Sequence, residues 1–371
     1  YIAGDNAIIS RNVVTSGRAV VELFDLSTVD DSALATAYAG DTLSGGGDDD
    51  LIFGQGGADT ANGDDGADYI EGNDGNDSIT GGSGNDDLVG GGSADDGIID
   101  GDRQGNTLSD VGETLISGGG GADWITGDNA LIDRNLSSDA AAPIVLFDVA
   151  TLADPTHAGT GGGEVLITGG NGADRIFGQT GNDTIEGNNG TDYIEGNDGV
   201  DEISGGDGAD DIIGGGSATN GEIGPDRTGN GLIDAGELIV TGDGADDWIA
   251  GDNALISRNL PTDGADPERA PVELFDVATV GSSISSLVSG GDVLDGNSGD
   301  DRIFGQGNGA QPLTQTDPAD GRNNDYIGSA EGTDNFDRLT GTADENAASW
   351  QGDTIRGGGG NDEIEGLSLI H

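Results

Sequence analysis

A chain of 371 residues with 71 acidic against 12 basic residues and a net charge of −59 repels nucleic acid and anionic membrane surfaces. With 33% hydrophobic residues, 74 glycines and no Cys, it has neither a thick conventional core nor disulfides nor thiolate metal sites, and no apolar run approaches a membrane span. Such a chain folds when its charge is neutralised, and divalent cations are the economical means.

From Tyr1 the chain reads YIAGDNAIISRNV, a segment that returns at Trp124 (WITGDNALIDRNL) and Trp248 (WIAGDNALISRNL). VELFDLSTV from Val21 returns as IVLFDVATL from Ile144 and VELFDVATV from Val272. The spacing of about 124 residues predicts three tandem units, 1–123, 124–247 and 248–371. In each, the two segments are rich in Val, Ile, Leu, Phe and Thr, and they predict a β-hairpin or a pair of longer strands. Arg11, Arg134 and Arg258 hold one position in the unit and fit exposed ion pairs, or a bidentate clamp on carboxylates. Trp124 and Trp248 fit packing at a junction.

The next element, 45–89, divides into five nine-residue words: GGGDDDLIF, GQGGADTAN, GDDGADYIE, GNDGNDSIT and GGSGNDDLV. The second unit repeats this over 169–213: GGNGADRIF, GQTGNDTIE, GNNGTDYIE, GNDGVDEIS and GGDGADDII. Single words start at Gly118, Gly242, Gly296 and Gly357, and their partner turns are not evident from the sequence. Position 1 is Gly, position 6 is Asp, and position 8 is usually Ile or Leu. The first six residues predict a turn, because Gly and Asn tolerate positive φ, and the last three predict a short strand with position 8 inward. Two words then make one coil of a parallel solenoid. Stacking coils places the position-6 carboxylates in rows about 4.8 Å apart, which is tolerable only with a cation between them. A hard ion taking six to eight oxygen ligands, Ca²⁺ rather than Mg²⁺, suits carboxylates beside the carbonyls of Gly-rich turns. A disordered Gly/Asp linker would need no apolar residue at position 8.

The word G-G-x-G-x-D-x-U-x resembles the RTX (repeats-in-toxin) calcium-binding family, whose pattern is a known calcium-binding β-helix repeat. The resemblance implies an all-β fold of parallel β-roll blocks joined by hairpin segments, with Ca²⁺ between the turns and folding coupled to the ion. It implies an extracellular or cell-surface setting in a bacterium. The metal ligands it implies are Asp50, Asp59, Asp68, Asp77 and Asp86, then Asp174, Asp183, Asp192, Asp201 and Asp210, with Asp123, Asp247, Asp301 and Asp362 from the single words.

A second calcium pattern follows each block. Residues 226–237, DRTGNGLIDAGE, resemble an EF-hand loop, with Asp226, Thr228, Asn230, Asp234 and Glu237 as ligands and Gly231 at the sharp turn. Residues 102–113, DRQGNTLSDVGE, keep Asp102, Asn106, Asp110 and Glu113, but Thr107 stands where the turn wants Gly. The flanks are too rich in Gly and Pro for entering helices. In the third unit about forty residues, roughly 307–351, interrupt the pattern.

No enzyme is expected in these residues. There is no HExxH, no GxSxG elbow, no Cys–His pair, no Walker motif and no Lys. The expected function is structural: a calcium-stabilised stretch of a surface filament or adhesin stalk, cut from a longer array, with further copies in the chain or head-to-tail homo-assembly as partners. Two rivals stand beside it. One is a ligand-binding adhesin module that uses the third unit's insertion; the other is the secretion region of an RTX enzyme.

Overall fold

The computed structural model describes residues 1–4, 7–15, 18–23, 40–92, 94–95, 98–99, 112–128, 130–132, 144–146, 166–216, 218–219, 222–223, 239–251, 254–256, 272–274, 293–297, 301–305, 326–327, 338–339, 354–356 and 363–366. Every element among them is a strand. The chain divides into two compact units, Tyr1–Gly181 and Asn182–His371.

In the first unit, one parallel sheet runs in the order Ile2–Ala3, Leu51–Gly56, Tyr69–Asp74, Asp87–Val89, Trp124–Thr126, Arg175–Thr180. A second runs Thr42–Gly47, Thr60–Asp65, Ser78–Ser83, Leu115–Gly120, Leu166–Asn171. Successive words alternate between the sheets, so each coil of the roll takes two words. The register puts position 8 on position 8: Ile52 pairs with Ile70, Ile70 with Leu88, Leu88 with Ile125 and Ile125 with Ile176. These five side chains are all 0% exposed, so the core is a ladder one isoleucine wide.

The second unit repeats the design. One sheet runs Tyr193–Asp198, Asp211–Ile213, Trp248–Ala250, Arg302–Gly305, Glu363–Gly366, Arg338–Leu339. The other runs Thr184–Asn189, Glu202–Asp207, Ile239–Gly244, Val293–Asp295, Thr354–Arg356, Tyr326–Ile327. The parallel roll expected from the nine-residue words is therefore the fold of both units.

Three details differ from the sequence reading. First, the strands are longer and the turns shorter. Leu51–Gly56 runs from position 7 of one word through position 3 of the next, leaving a turn of three residues, Gly57 to Asp59. The ladder passes through residues of left-handed φ at position 2, such as Asn73 (φ 73) and Gln179 (φ 75). Their stacked copies share that conformation, so the pairing is not broken. Second, the single words have partner turns. Ile125 of the word at Gly118 pairs with Leu88, and Ile249 of the word at Gly242 pairs with Ile212. Third, two pieces of the stretch 307–351 expected to interrupt the pattern, Tyr326–Ile327 and Arg338–Leu339, belong to the sheets.

The hairpins are present where they are described. Ala7–Thr15 pairs antiparallel with Arg18–Leu23, Ala130–Ile132 with Ile144–Leu146, and Ala254–Ile256 with Val272–Leu274. The second and third lie against their own roll. Ala130 and Ile132 are 0% exposed, and their strand lies against Asp87–Val89. Ile256 packs with Ile213, Trp248 and Ala250, beside the partly buried Tyr193. Trp248 thus serves packing, and Trp124 lies under the Arg175 guanidinium, 5.8 Å from the ring centroid. The side chains of Arg11, Arg134 and Arg258 lie outside the described residues.

The left-handed turn makes one substitution pair informative. Gly84 has φ +138, and a Cβ there would overlap the Gly66 carbonyl oxygen of the coil below, whereas Gly47 has open space around it. In calcium-loaded protein, Gly84→Ala is expected to cost about 2 kcal/mol or more, and Gly47→Ala to stay within about 0.5 kcal/mol. Thermal denaturation of the two variants in parallel checks this.

Candidate metal centre

Each position-6 aspartate sits where a three-residue turn enters a strand. Ten of these aspartates accept, at Oδ1, the backbone N–H of the position-6 residue one coil earlier. In the first unit Asp41 N–H donates to Asp59, Asp59 to Asp77, Asp50 to Asp68, Asp68 to Asp86, Asp86 to Asp123 and Asp123 to Asp174, at 2.6–2.8 Å. In the second unit Asp183 N–H donates to Asp201, Asp192 to Asp210, Asp210 to Asp247 and Asp247 to Asp301, at 2.8–2.9 Å. The sequence separation is 18 residues within a block and 37, 51 or 54 across an excursion, yet the bond is the same. Asp59, Asp68, Asp77, Asp86, Asp123, Asp174, Asp183, Asp192, Asp201, Asp210, Asp247 and Asp301 are all buried, and Asp50 is partly buried.

The Oδ2 atoms of those twelve buried aspartates point inward and accept no hydrogen bond from the described residues. They aim at the position-1 glycines. A Cβ on Gly72 would lie 2.5 Å from Asp77 Oδ2 and 2.5 Å from the Gly90 carbonyl oxygen; on Gly196, 2.5 Å from Asp201 Oδ2 and 2.5 Å from the Gly214 carbonyl oxygen. Position 1 is Gly because carboxylate and carbonyl oxygens occupy the space that a side chain would need. Among the described residues no three acidic or histidine side chains form a metal cluster. The donor set at each turn is instead carboxylate plus backbone carbonyl, oxygen throughout. That chemistry fits a hard cation with high coordination number, and like charges in buried rows require such neutralisation.

Asp68 shows the cost without the ion. Burial pushes its carboxyl above the ordinary value and the charges of Asp50, Asp49 and Asp64 add to this, while the N–H of Asp50 pulls the other way.

Of the sequence-derived ligands, the structure brings Asp50, Asp68, Asp86, Asp123 and Asp174 into one row, Asp59 and Asp77 into another, and the second unit's aspartates into equivalent rows. Asp362 lies outside the described residues, as do Asp102, Asn106, Asp110, Asp226, Thr228, Asn230, Asp234 and Glu237 of the two loops. Glu113 is described and is buried within the roll at 0% exposure. The sequence reading missed Asp41, although GDTLSG places it two residues before Leu43, the spacing of every regular word. It also missed a buried polar network on the outer face. The Tyr69 hydroxyl donates to Glu71 Oε1 at 2.6 Å, and Asn73 Nδ2 donates to Glu71 Oε2 at 2.8 Å; Tyr193, Glu195 and Asn197 repeat it.

A parallel roll whose turns carry rows of buried aspartates facing backbone carbonyls defines a calcium-binding repeat protein. The family model of the RTX calcium-binding nonapeptide repeat matches residues 38–70, 62–96, 112–130, 160–185, 168–203, 186–218, 288–308 and 349–368. These segments, just under half of the chain, are RTX repeats, and the ion they bind, at multiple repeats, is Ca²⁺. Neither a curated protein nor a solved structure matches the chain.

The direction at Asp68 fixes a pH response. Its pKa in the ion-free fold lies above the unfolded value. The fold therefore binds more protons than the unfolded chain between the two values, and its contribution to stability is present at low pH and lost as pH rises through the folded value. In chelator, acidification from neutral pH is expected to increase the β signal in far-UV circular dichroism. In calcium the same acidification is expected to release the ion, read with a calcium-sensitive dye.

Proposed function

We propose that this chain is a non-enzymatic extracellular structural protein, a segment of a bacterial surface filament or adhesin stalk, rigidified by Ca²⁺ along its rolls. The observation that carries this reading is the Asp Oδ1 to N–H ladder of the rows Asp50 to Asp174 and Asp192 to Asp301, which crosses the excursions without a change of geometry. A chain that spends one buried carboxylate per turn on stacking its own coils is built to hold length. The three repeat units of about 124 residues extend the same pattern along the sequence. Further copies in the chain, or head-to-tail association of chains, would continue the ladder. Extracellular calcium, abundant compared with the cytosol, suits sites of the weaker calcium-module class. The chain would cross the membrane unfolded and fold outside it, since its rows repel without the ion.

The test is a CaCl₂ titration of chelator-treated protein, followed by far-UV circular dichroism and small-angle scattering, with MgCl₂ as control. The expected result is a cooperative gain of β signal and a contraction from coil to a stiff particle with Ca²⁺ and not with Mg²⁺. A chain already folded in chelator, or one that folds equally with Mg²⁺, overturns the reading.

A further inference from the structure

The geometry points to Glu113 as a calcium ligand of the roll, standing where the word that begins at Gly90 has lost its aspartate. The inference rests on the calcium reading of the rows and adds to it a site that no regular word predicts.

The word from Gly90 reads GGGSADDGI, and counting gives Asp95 at position 6. Asp95 is not at the turn. Ala94–Asp95 leaves the roll and pairs antiparallel with Ile98–Ile99. The chain comes back at Gly112 and enters the sheet as Leu115–Gly120. Glu113 is then found where the aspartate belongs. A Cβ on Gly90 would lie 2.6 Å from Glu113 Oε1 and would overlap the Gly127 carbonyl oxygen. The same pair of oxygens surrounds Gly54 (Asp59 Oδ2 at 2.6 Å, Gly72 carbonyl at 2.5 Å) and Gly72. It also surrounds Gly4, where Asp41 Oδ2 would be 2.9 Å away beside the Gly54 carbonyl. Asp41, Asp59, Asp77 and Glu113 form one row, and the first and last of these close an excursion.

The substitution of Glu for Asp has a stereochemical reason. In a regular turn the aspartate stands two residues before the inward apolar side chain, as with Asp41 and Leu43, Asp59 and Ala61, or Asp77 and Ile79. Glu113 stands three residues before Ile116, so there is one extra residue, Thr114. The structure shows where it goes. Thr114 is exposed, its N–H donates to the Asp77 carbonyl at 2.7 Å and its hydroxyl donates to Asn76 Oδ1, while Leu115 N–H reaches the same carbonyl only at 3.4 Å. In the regular coil below, Ser78 N–H donates to the Asp59 carbonyl at 2.9 Å. Thr114 is a bulge that moves the carboxylate-bearing residue back along the chain, and the extra methylene of Glu restores the reach. The sequence follows the same rule at the other returns. Glu164 and Glu237 precede Ile167 and Val240 by three residues, whereas Asp292 and Asp353 precede Leu294 and Ile355 by two.

A calcium ion held by Glu113 would tie the chain's return at Gly112 to its departure at Gly90. Closure of the stretch between them would then be linked to the ion. In this assignment Glu113 serves the roll and not the EF-hand-like loop whose last position it also fills.

The test uses the full chain in four forms: wild type, E113Q, E113D, and E113D with Thr114 removed. Bound calcium is counted by atomic emission after gel filtration and by isothermal titration, and amide exchange is followed over 88–92 and 112–117. E113Q is expected to lose one ion and to exchange about tenfold faster over those segments. E113D is expected to behave like E113Q, because its carboxylate is too short for the bulged backbone. Removing Thr114 from E113D re-creates a regular turn and is expected to restore both the ion and the protection, which a merely space-filling Glu113 would not do. Unchanged stoichiometry in E113Q, or a wild-type ion count in E113D alone, overturns the assignment while leaving the calcium rows standing. If E113Q does not fold, the E113D pair decides by the same criterion. A wild type that binds no calcium overturns the parent reading instead.

Discussion

The structure depends on one interaction, the position-6 carboxylate that serves two coils. Its Oδ1 takes the backbone N–H of the neighbouring coil, as Asp86 takes that of Asp68, and so fixes the stacking. Its Oδ2 turns into the roll beside a backbone carbonyl. The arrangement satisfies a backbone donor that the tight turn would strand, but it buries negative charge in a row. The core offers little in return, since it holds one isoleucine or its equivalent per nine residues. The coils therefore remain stacked when the charge is compensated, and Ca²⁺ supplies that compensation with the oxygen-rich coordination the turns present. The formal charge of −59 is a consequence of this design rather than a separate property.

The excursions are subordinate to that frame. Ile256, in the hairpin strand Ala254–Ile256, packs with Trp248 and Ile213 on the outer face of the roll and gives them cover that a two-sheet coil cannot provide. Where this outer face is buried, polar side chains are paired with one another. Tyr69 and Asn73 donate to the two oxygens of Glu71, so that a carboxylate at position 9 is held by two donors on its own strand. The inner Oδ2 atoms lie beside backbone carbonyl oxygens instead, and this difference separates the carboxylate-lined interior from the packing face.

The sequence displayed the roll well because period and chemistry coincide: Gly, Asp and Ile recur every nine residues, and only a coil of two words puts each type on its own surface. The division into turn and strand was less legible. Positions 1 to 3 are filled mostly by Gly, Asn, Asp and Gln, which are poor strand formers, yet Gln55 and Asn73 lie side by side in a ladder because both adopt left-handed φ. A propensity is a property of one residue, whereas this pairing is a property of the stack. The partners of the words at Gly118 and Gly242 were hidden for a related reason. A separation of 37 residues carries no mark of contact, although Asp86 and Asp123 are bonded as neighbouring coils are. Glu113 was legible twice over, as the twelfth residue of an EF-hand-like loop and as an acid three residues before Ile116. Only its position against Gly90 reveals the second role.

Near-identical words raise a problem of register. Sliding one coil past another by 18 residues would still put isoleucine on isoleucine and aspartate on backbone N–H, so the regular part of the roll does not by itself select one alignment. Selection requires places where the words differ. The Asn73 side chain, donating to the Gly91 carbonyl, marks a coil whose successor departs at that point. Gln179, accepting the Asp128 N–H across 51 residues, marks a second. The bulge at Thr114 marks a third, because it fits only a return whose acid is Glu. The irregular residues thus specify the alignment, the regular ones supply the cohesion, and the excursions are what allow a monotonous sequence to have a single folded register.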